Sequence, residues 1–414
     1  MDLLLTALTI LGIILTLIGS YIAYNQWNDQ RKEIRIREFK INHKSVRDRR
    51  EFYSSKMYKE YLKMQGEEED KSGEKKQRFL LTKNGWIPKI IIDLCEKKVV
   101  EVDKKQKRIR KINPNDLVNP PRRRFLRRRF LFPEGPSYAD NSKHYLDKNL
   151  FNGDTFRVVN VNTNDGLKIT ISKSRYYDYY NTCEYLLYLA TCGINEQEKR
   201  KEHKERICRI KDPFDFNNRS VAIGGNTLTI IKNIIDDSES ESKKHYFLIH
   251  KRSDKVSEAM NTVSVVPAGG LLDVINKKDE DYEKKLIWGN ILREFEEEVN
   301  GISEVEDTEE YDAERVDKKG IRFLFLGVGL DPLTTKMEAM SCMIVDAEES
   351  NIFKKTCNSL KNNLKESYEG KIELVEFTKD NLRLHMNNKR SMPVFREIMR
   401  IAIDSFDNLL KIGP

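Results

Sequence analysis

Arg293, Glu294, Glu297 and Glu298 are the residues whose types and spacing point most directly to chemistry. They lie in Asn290–Gly301, NILREFEEEVNG, where four acids occupy five positions. On a helix, spacings of three and four gather Glu294, Glu297 and Glu298 on one side. Arg293 precedes Glu297 by four residues, within side-chain reach. Carboxylates this close raise one another's pKa unless a cation or an arginine offsets the repulsion. Oxygen ligands at this spacing suit a hard ion such as Mg²⁺ that also bridges to phosphate oxygens. Such an ion lowers the pKa of water and neutralises a leaving phosphate. The plainer alternative is a solvated acidic face with one ion pair to Arg293.

Two elements must position this group. Residues 279–299 have helical periodicity, with Trp288, Ile291, Leu292, Phe295 and Val299 in one apolar stripe. The acids fall on a neighbouring face. Before it, MNTVSVVPAGGLLD reads as a strand ending at Gly269 and Gly270. RSVAIGGNTLTIIKN and HYFLIHKR, upstream, are strand-like and separated by a polar turn at 236–244. The segment 153–175 reads as a hairpin turning at Asn164-Asp165-Gly166. In the tyrosine-rich run after it, Tyr177, Tyr180, Cys183 or Glu184, and Leu187 have helical spacing. Residues 78–102 alternate apolar runs with turns, and periodicity does not separate helix from strand there.

The 414-residue chain carries a net charge of +8, which favours polyanionic partners such as nucleotides, nucleic acid or anionic lipid. Its six cysteines and six histidines are scattered without metal-ligand spacing, so neither a zinc site nor a disulfide framework is read. Residues 3–24 (Leu3 to Tyr24) form an uncharged run of 22 residues. About 20 apolar residues suffice to cross the hydrocarbon core as a helix. The chain starts Met-Asp rather than with basic residues, and bulky residues follow the run, which favours an uncleaved anchor over a signal peptide. Residues 31–50 then hold nine Lys/Arg against three acids, which predicts the N-terminus outside and the bulk of the chain in the cytoplasm. The helix is expected to continue to about Gln65, its basic face on anionic headgroups or in solvent. Gly66–Gln77 reads as a linker. Pro120–Pro136 places six arginines, Arg122 to Arg124 and Arg127 to Arg129, around Phe125 and Leu126, a run suited to phosphate or lipid contact.

The order strand, Gly-Gly, loop and R-E-F-E-E-E resembles the Nudix box, whose pattern is G-x5-E-x7-R-E-U-x-E-E-x-G-U. Gly270 matches the box glycine, Arg293 and Glu294 the R-E pair, and Glu297 and Glu298 the E-E pair. Asp273 stands where many members carry an extra acid. The strand YFLIHKR, the strands IRFLFLGVGLDP and MEAMSCMIVDAEE, and the closing LVEFTKDNLRLHM and MPVFREIMRIAIDSF extend the resemblance over about 217–410. It implies Glu294, Glu297 and Glu298 as metal-binding and catalytic residues if the site is active, with Mg²⁺ as cofactor. It also implies ligand contacts at Gly269, Gly270, Arg293 and Arg252. The box is altered: its first glutamate falls on Lys285, its last glycine on Asn300, and nine extra residues separate Gly270 from Arg293. These departures favour a nucleotide sensor over an active hydrolase. Glu338 and Glu376 are candidates for a general base on position alone.

An N-terminal membrane helix joined to an altered Nudix domain is similar to the transmembrane–Nudix effectors of CBASS anti-phage systems. The fold expected is α+β: an α/β/α Nudix sandwich with a mixed sheet, an accessory α+β module and a single transmembrane helix. The divisions are residues 1–27 for the anchor, 28–77 for a basic juxtamembrane helix and linker, 78–216 for the accessory module and 217–414 for the Nudix-like domain. The resemblance implies a cyclic oligonucleotide ligand made by a linked nucleotidyltransferase. Binding would drive homo-oligomerisation and disruption of the bacterial inner membrane, ending in abortive infection. The alternative is a membrane-tethered, Mg²⁺-dependent hydrolase of nucleoside diphosphate derivatives.

Overall fold

A computed structural model describes residues 2–64, 78–103, 118–119, 138–146, 150–199, 209–235, 243–253, 262–273, 281–301, 317–354, 356 and 370–413. The linker at 66–77 and the arginine run at 122–129 lie outside the described residues.

Helix α1 runs from Asp2 to Asp48 and α2 from Arg50 to Met64, so the helix extends almost to the position expected, with one break at Arg49. Among the described residues no helix is long and apolar enough to cross a membrane. Of the side chains before Leu15 nothing is described, and these include the first half of the uncharged run. The second half is described: Leu15, Leu17, Ile18, Tyr21, Ile22, Tyr24 and Trp27 are all exposed.

The short strands β1 (Ile92–Asp93), β2 (Val100–Val102) and β3 (Val118–Asn119) precede α3 (Tyr138–Leu146). β4 (Asp154–Asn162) and β5 (Lys168–Arg175) pair antiparallel around the Asn-Asp-Gly turn, where Gly166 has φ +95°, as the sequence predicts. β2 joins β5 in parallel to complete a three-stranded sheet. The tyrosine-rich run is helical, as its spacing predicts: α4 (Tyr176–Tyr179), a π-helical turn (Tyr180–Glu184) and α5 (Tyr185–Lys199). β6 (Arg209–Ile210) pairs with β3.

The large sheet has eight strands. Its order is β1–β11–β12–β7–β8–β13, built from β7 (Ile223–Ile235), β8 (Lys243–Arg252), β11 (Ile321–Leu330), β12 (Met337–Asp346) and β13 (Gly370–Glu376). β7 and β12 run parallel and the other pairs antiparallel, so the sheet is mixed. β9 (Val263–Val265) pairs with β8 and β10 (Ala268–Gly270) with β7. Strand β12 is buried at every position, because both faces of the sheet are covered. Side chains alternate between two cores. Phe323 and Phe325 meet α6 (Tyr282–Glu298), while Leu324 and Leu326 meet the helices after the sheet. Those are α7 (Lys379–Met386), α8 (Pro393–Asp404) and α9 (Phe406–Lys411). The result is a mixed α+β architecture with helix, sheet and helix in layers.

Part of 78–103 belongs with this sheet: Leu81 bridges to Leu330, and β1 pairs with β11. No helix forms among its described residues.

Candidate functional site

Helix α6 carries the acidic group because packing holds it there. Trp288, Ile291, Leu292, Phe295 and Val299 are all buried, as the stripe predicts. Each such side chain contributes roughly 1.5–3 kcal/mol on burial, whereas a like-charge pair at helical spacing costs about 0.2–0.5 kcal/mol. Packing therefore outweighs the repulsion between the acids.

Arg293 is buried and donates from Nη1 to Glu297 Oε2 at 2.7 Å and from Nη2 to Glu294 Oε1. Burial alone would lower its pKa. The charges of Glu294 and Glu297, and the hydrogen bonds to them, outweigh that and hold it above the ordinary guanidinium value. Glu298 turns to the sheet, where its Oε2 accepts from Ala268 N at 3.0 Å. The three acids are thus engaged by an arginine and a backbone N–H. Among the described residues no three acidic, histidine or cysteine side chains are grouped to hold a metal ion. Each of the three acids has one oxygen on an internal partner, and no metal-dependent step is derived from them.

Gly269 lies directly beneath Glu294: a Cβ there would collide with the carboxylate. Gly269 and Gly270 pair with Gly225 and Gly224 of β7, so the glycine backbones lie side by side. Gly269, Gly270, Glu294, Asn290, Ile287 and Ile291 meet Gly225, Thr227, Ala339 and Ser341 in one cleft between α6 and the sheet. Its cavity volume is about 20 Å³, room for about one water molecule.

Asn290, not singled out from sequence, sets the rim. Its amide donates to Leu272 O at 3.0 Å and Leu286 O at 2.8 Å, and its Oδ1 accepts from Leu272 N at 3.1 Å. The signal was present: an amide in a helix, one turn before Arg293-Glu294 and on the face they share. Asp273 is held at the same rim by Tyr282 OH at 2.5 Å and by Lys173 Nζ of β5 at 2.6 Å. Burial, then the bond to Asp273, raises the Tyr282 phenol above its ordinary pKa. Glu283, at the start of α6, accepts from Val102 N and Lys98 Nζ, both at 2.7 Å. The three-stranded sheet thus grips both ends of the loop that separates Gly270 from α6.

The remaining sequence candidates lie elsewhere. Glu338 is buried and accepts from Asn226 Nδ2 at 2.7 Å. It pairs in register with Gly224, so strand alternation turns it away from the face of Ala339 and Ser341. Glu376 ends the edge strand β13 and is exposed. Arg252 ends β8, where its N–H donates to Thr262 O at 2.9 Å; it is not among the described residues lining the cleft.

No family model matches the chain, and no curated protein is similar to it. Among solved structures the chain is similar to a mutT/nudix family protein from Listeria innocua, at 13% sequence identity and a TM-score of 0.26. That match spans 46% of this chain and 96% of the other.

Proposed function

We propose that this chain is a membrane-anchored nucleotide receptor with a Nudix-like domain, an effector of the CBASS type. A cyclic oligonucleotide made by a linked nucleotidyltransferase docks at the cleft beside α6. Docking favours a self-associated state of the N-terminal helices, which disrupts the inner membrane and ends in abortive infection. The observation that carries the sensing part is the engagement of the acids: Arg293 holds Glu294 and Glu297, and Ala268 N–H holds Glu298. Carboxylates tied to internal partners suit a binding site more than a metal-assisted hydrolytic one. The basic chain, with its net charge of +8, suits a polyanionic ligand.

The membrane part is supported by the exposed apolar side chains of α1 from Leu15 to Trp27 and by the basic residues that follow. These features favour a single pass with the N-terminus outside. A ligand shifts such an equilibrium only by binding the associated state better.

The test is calorimetry on the full chain in detergent with cyclic di- and trinucleotides, with chromatography of the same mixtures. The receptor reading expects saturable binding with the nucleotide recovered intact, and Glu297→Gln changing no product profile. Mg²⁺-dependent cleavage that is lost in Glu297→Gln would favour the tethered hydrolase instead.

A further inference from the structure

β13 closes one side of the large sheet: it pairs with β8, and among the described residues no strand pairs with its other side. The ladder fixes which of its backbone groups face outward. Phe377 N donates to His245 O at 2.7 Å, and these two residues continue the β13–β8 register. Hydrogen-bonded pairs alternate along an antiparallel ladder, so Lys371, Glu373 and Val375 turn their backbone groups to β8. Ile372 and Leu374 turn theirs outward. Glu376 O accepts from Thr378 N at 3.0 Å and from Asn381 Nδ2 at 2.9 Å, which closes the edge at its C-terminal end. The Leu374 side chain is exposed.

Such an edge accepts another strand unless its side chains forbid it, and lysine ordinarily does so. Here Lys371 stands directly opposite Lys251 of β8, and the two share Glu373, at 3.3 and 2.6 Å. Like charges directly opposite are destabilising, so a further acid beside Lys371 is favourable. A second copy of the same strand brings one in a single register. Two copies of β13 pair antiparallel about a twofold axis at Ile372, Glu373 or Leu374. The axis at Ile372 sets each Lys371 opposite Glu373 of the other copy, in the close pairs that carry no hydrogen bonds. The axis at Glu373 sets the two Glu373 carboxylates against each other. The axis at Leu374 sets Glu373 against Val375 and Lys371 against Phe377.

We propose that β13 is a self-association edge: two copies of this chain join by antiparallel pairing of β13 about Ile372, which makes their large sheets continuous. Each Ile372 N–H donates to the Ile372 carbonyl of the other copy, and Lys371 and Glu373 pair on either side of the axis. Leu374 falls opposite Gly370 of the other copy, where no side chain stands in its way. Main-chain bonds supply the affinity, as in strand addition generally, and the charges fix the register. The contact is the same patch on both copies, so it closes at two. This pairing needs no nucleotide and is independent of the receptor reading.

The experiment is sedimentation velocity with hydrogen exchange on the full chain in detergent, over a concentration series. Exchange at the Ile372 amide slows about tenfold once most of the chain is paired. Leu374→Pro removes an N–H that points away from β8, so the β13–β8 ladder keeps its bonds while the proline ring blocks a second strand. It weakens association about tenfold or more, with the melting temperature little changed. Lys371→Glu and Glu373→Lys each set like charges opposite one another across the axis and weaken association about fivefold. The double variant K371E/E373K restores it, because the opposite charges face each other again. Exchange at the Ile372 amide that is the same at every concentration overturns the proposal. So does association that Leu374→Pro leaves unchanged, or a double variant that associates no better than the two single ones.

Discussion

At the scale of single residues, Gly269 and Gly225 make opposite predictions although they face each other across β10 and β7. A methyl group on Gly269 collides with the Glu294 carboxylate, so Glu294 must swing away and Arg293 loses a partner. Gly269→Ala is therefore expected to lose about 1–3 kcal/mol, as overpacked sites do. Gly225→Ala is neutral, or stabilises by up to about 1 kcal/mol through the unfolded chain. Urea denaturation of the two variants checks the contrast, and equal stabilities would contradict the placement of Glu294. The histidines set a pH response. Burial, then a nearby lysine, lowers the pKa of His245 and of His385. His245 Nδ1 accepts from Asn233 N at 3.3 Å, which requires that nitrogen to carry no proton. Their contribution is complete above the unfolded value of about 6.5 and is lost as pH falls below it. The melting temperature should decline from pH 7.5 towards pH 5.5; a flat or rising profile would count against it.

At the scale of elements, the loop from Gly270 to Asp281 is held at its described ends by groups from three directions. Asn290 fixes Leu272 from α6, Lys173 fixes Asp273 from β5, and Glu283 ties the start of α6 to Val102. Lys173 is largely exposed, so its ion pair contributes at most about 1 kcal/mol; the buried amide matters more. Asn290→Ala is expected to cost about 1–3 kcal/mol and to speed hydrogen exchange at the Leu272 amide. Unchanged exchange there would contradict the clamp. The acidic helix and the flanking strands could be read in advance because their signals are local: an apolar stripe of period 3.6, and runs of Val, Ile and Phe between turns. The Asn-Asp-Gly turn declared its hairpin for the same reason. Asp273 could be marked as an acid of interest, but its partner Lys173 is remote in sequence and belongs to another sheet. The cleft was hidden too, because it arises where small residues of three separate strands meet one helix face. The turn at Tyr180–Glu184, where Tyr180 and Cys183 are buried, was visible as helical, while its π-helical pitch was not.

For the whole molecule, the question is how events at the cleft reach α1. Phe39 of α1 is buried among Tyr138 and Tyr188, with ring centroids 5.9 and 5.2 Å away. Arg50 and Glu51 of α2 pair with Asp331 and Arg396, which belong to the large sheet's β11–β12 turn and to α8. The N-terminal helices are thus fastened both to the tyrosine-rich helix and to the layers around the cleft. Removing the Phe39 ring is expected to cost about 3–5 kcal/mol locally and to loosen the first of these fastenings. Phe39→Ala should keep nucleotide binding and lose the membrane response.

The central claim is that a nucleotide docked beside α6 acts on a helix lodged in lipid. Dye release from anionic vesicles carrying the full chain tests it most directly. The account predicts that one cyclic di- or trinucleotide triggers release, is recovered intact, and fails to trigger release with Phe39→Ala. Binding of that nucleotide with no release, or release that proceeds equally without any nucleotide, would contradict it.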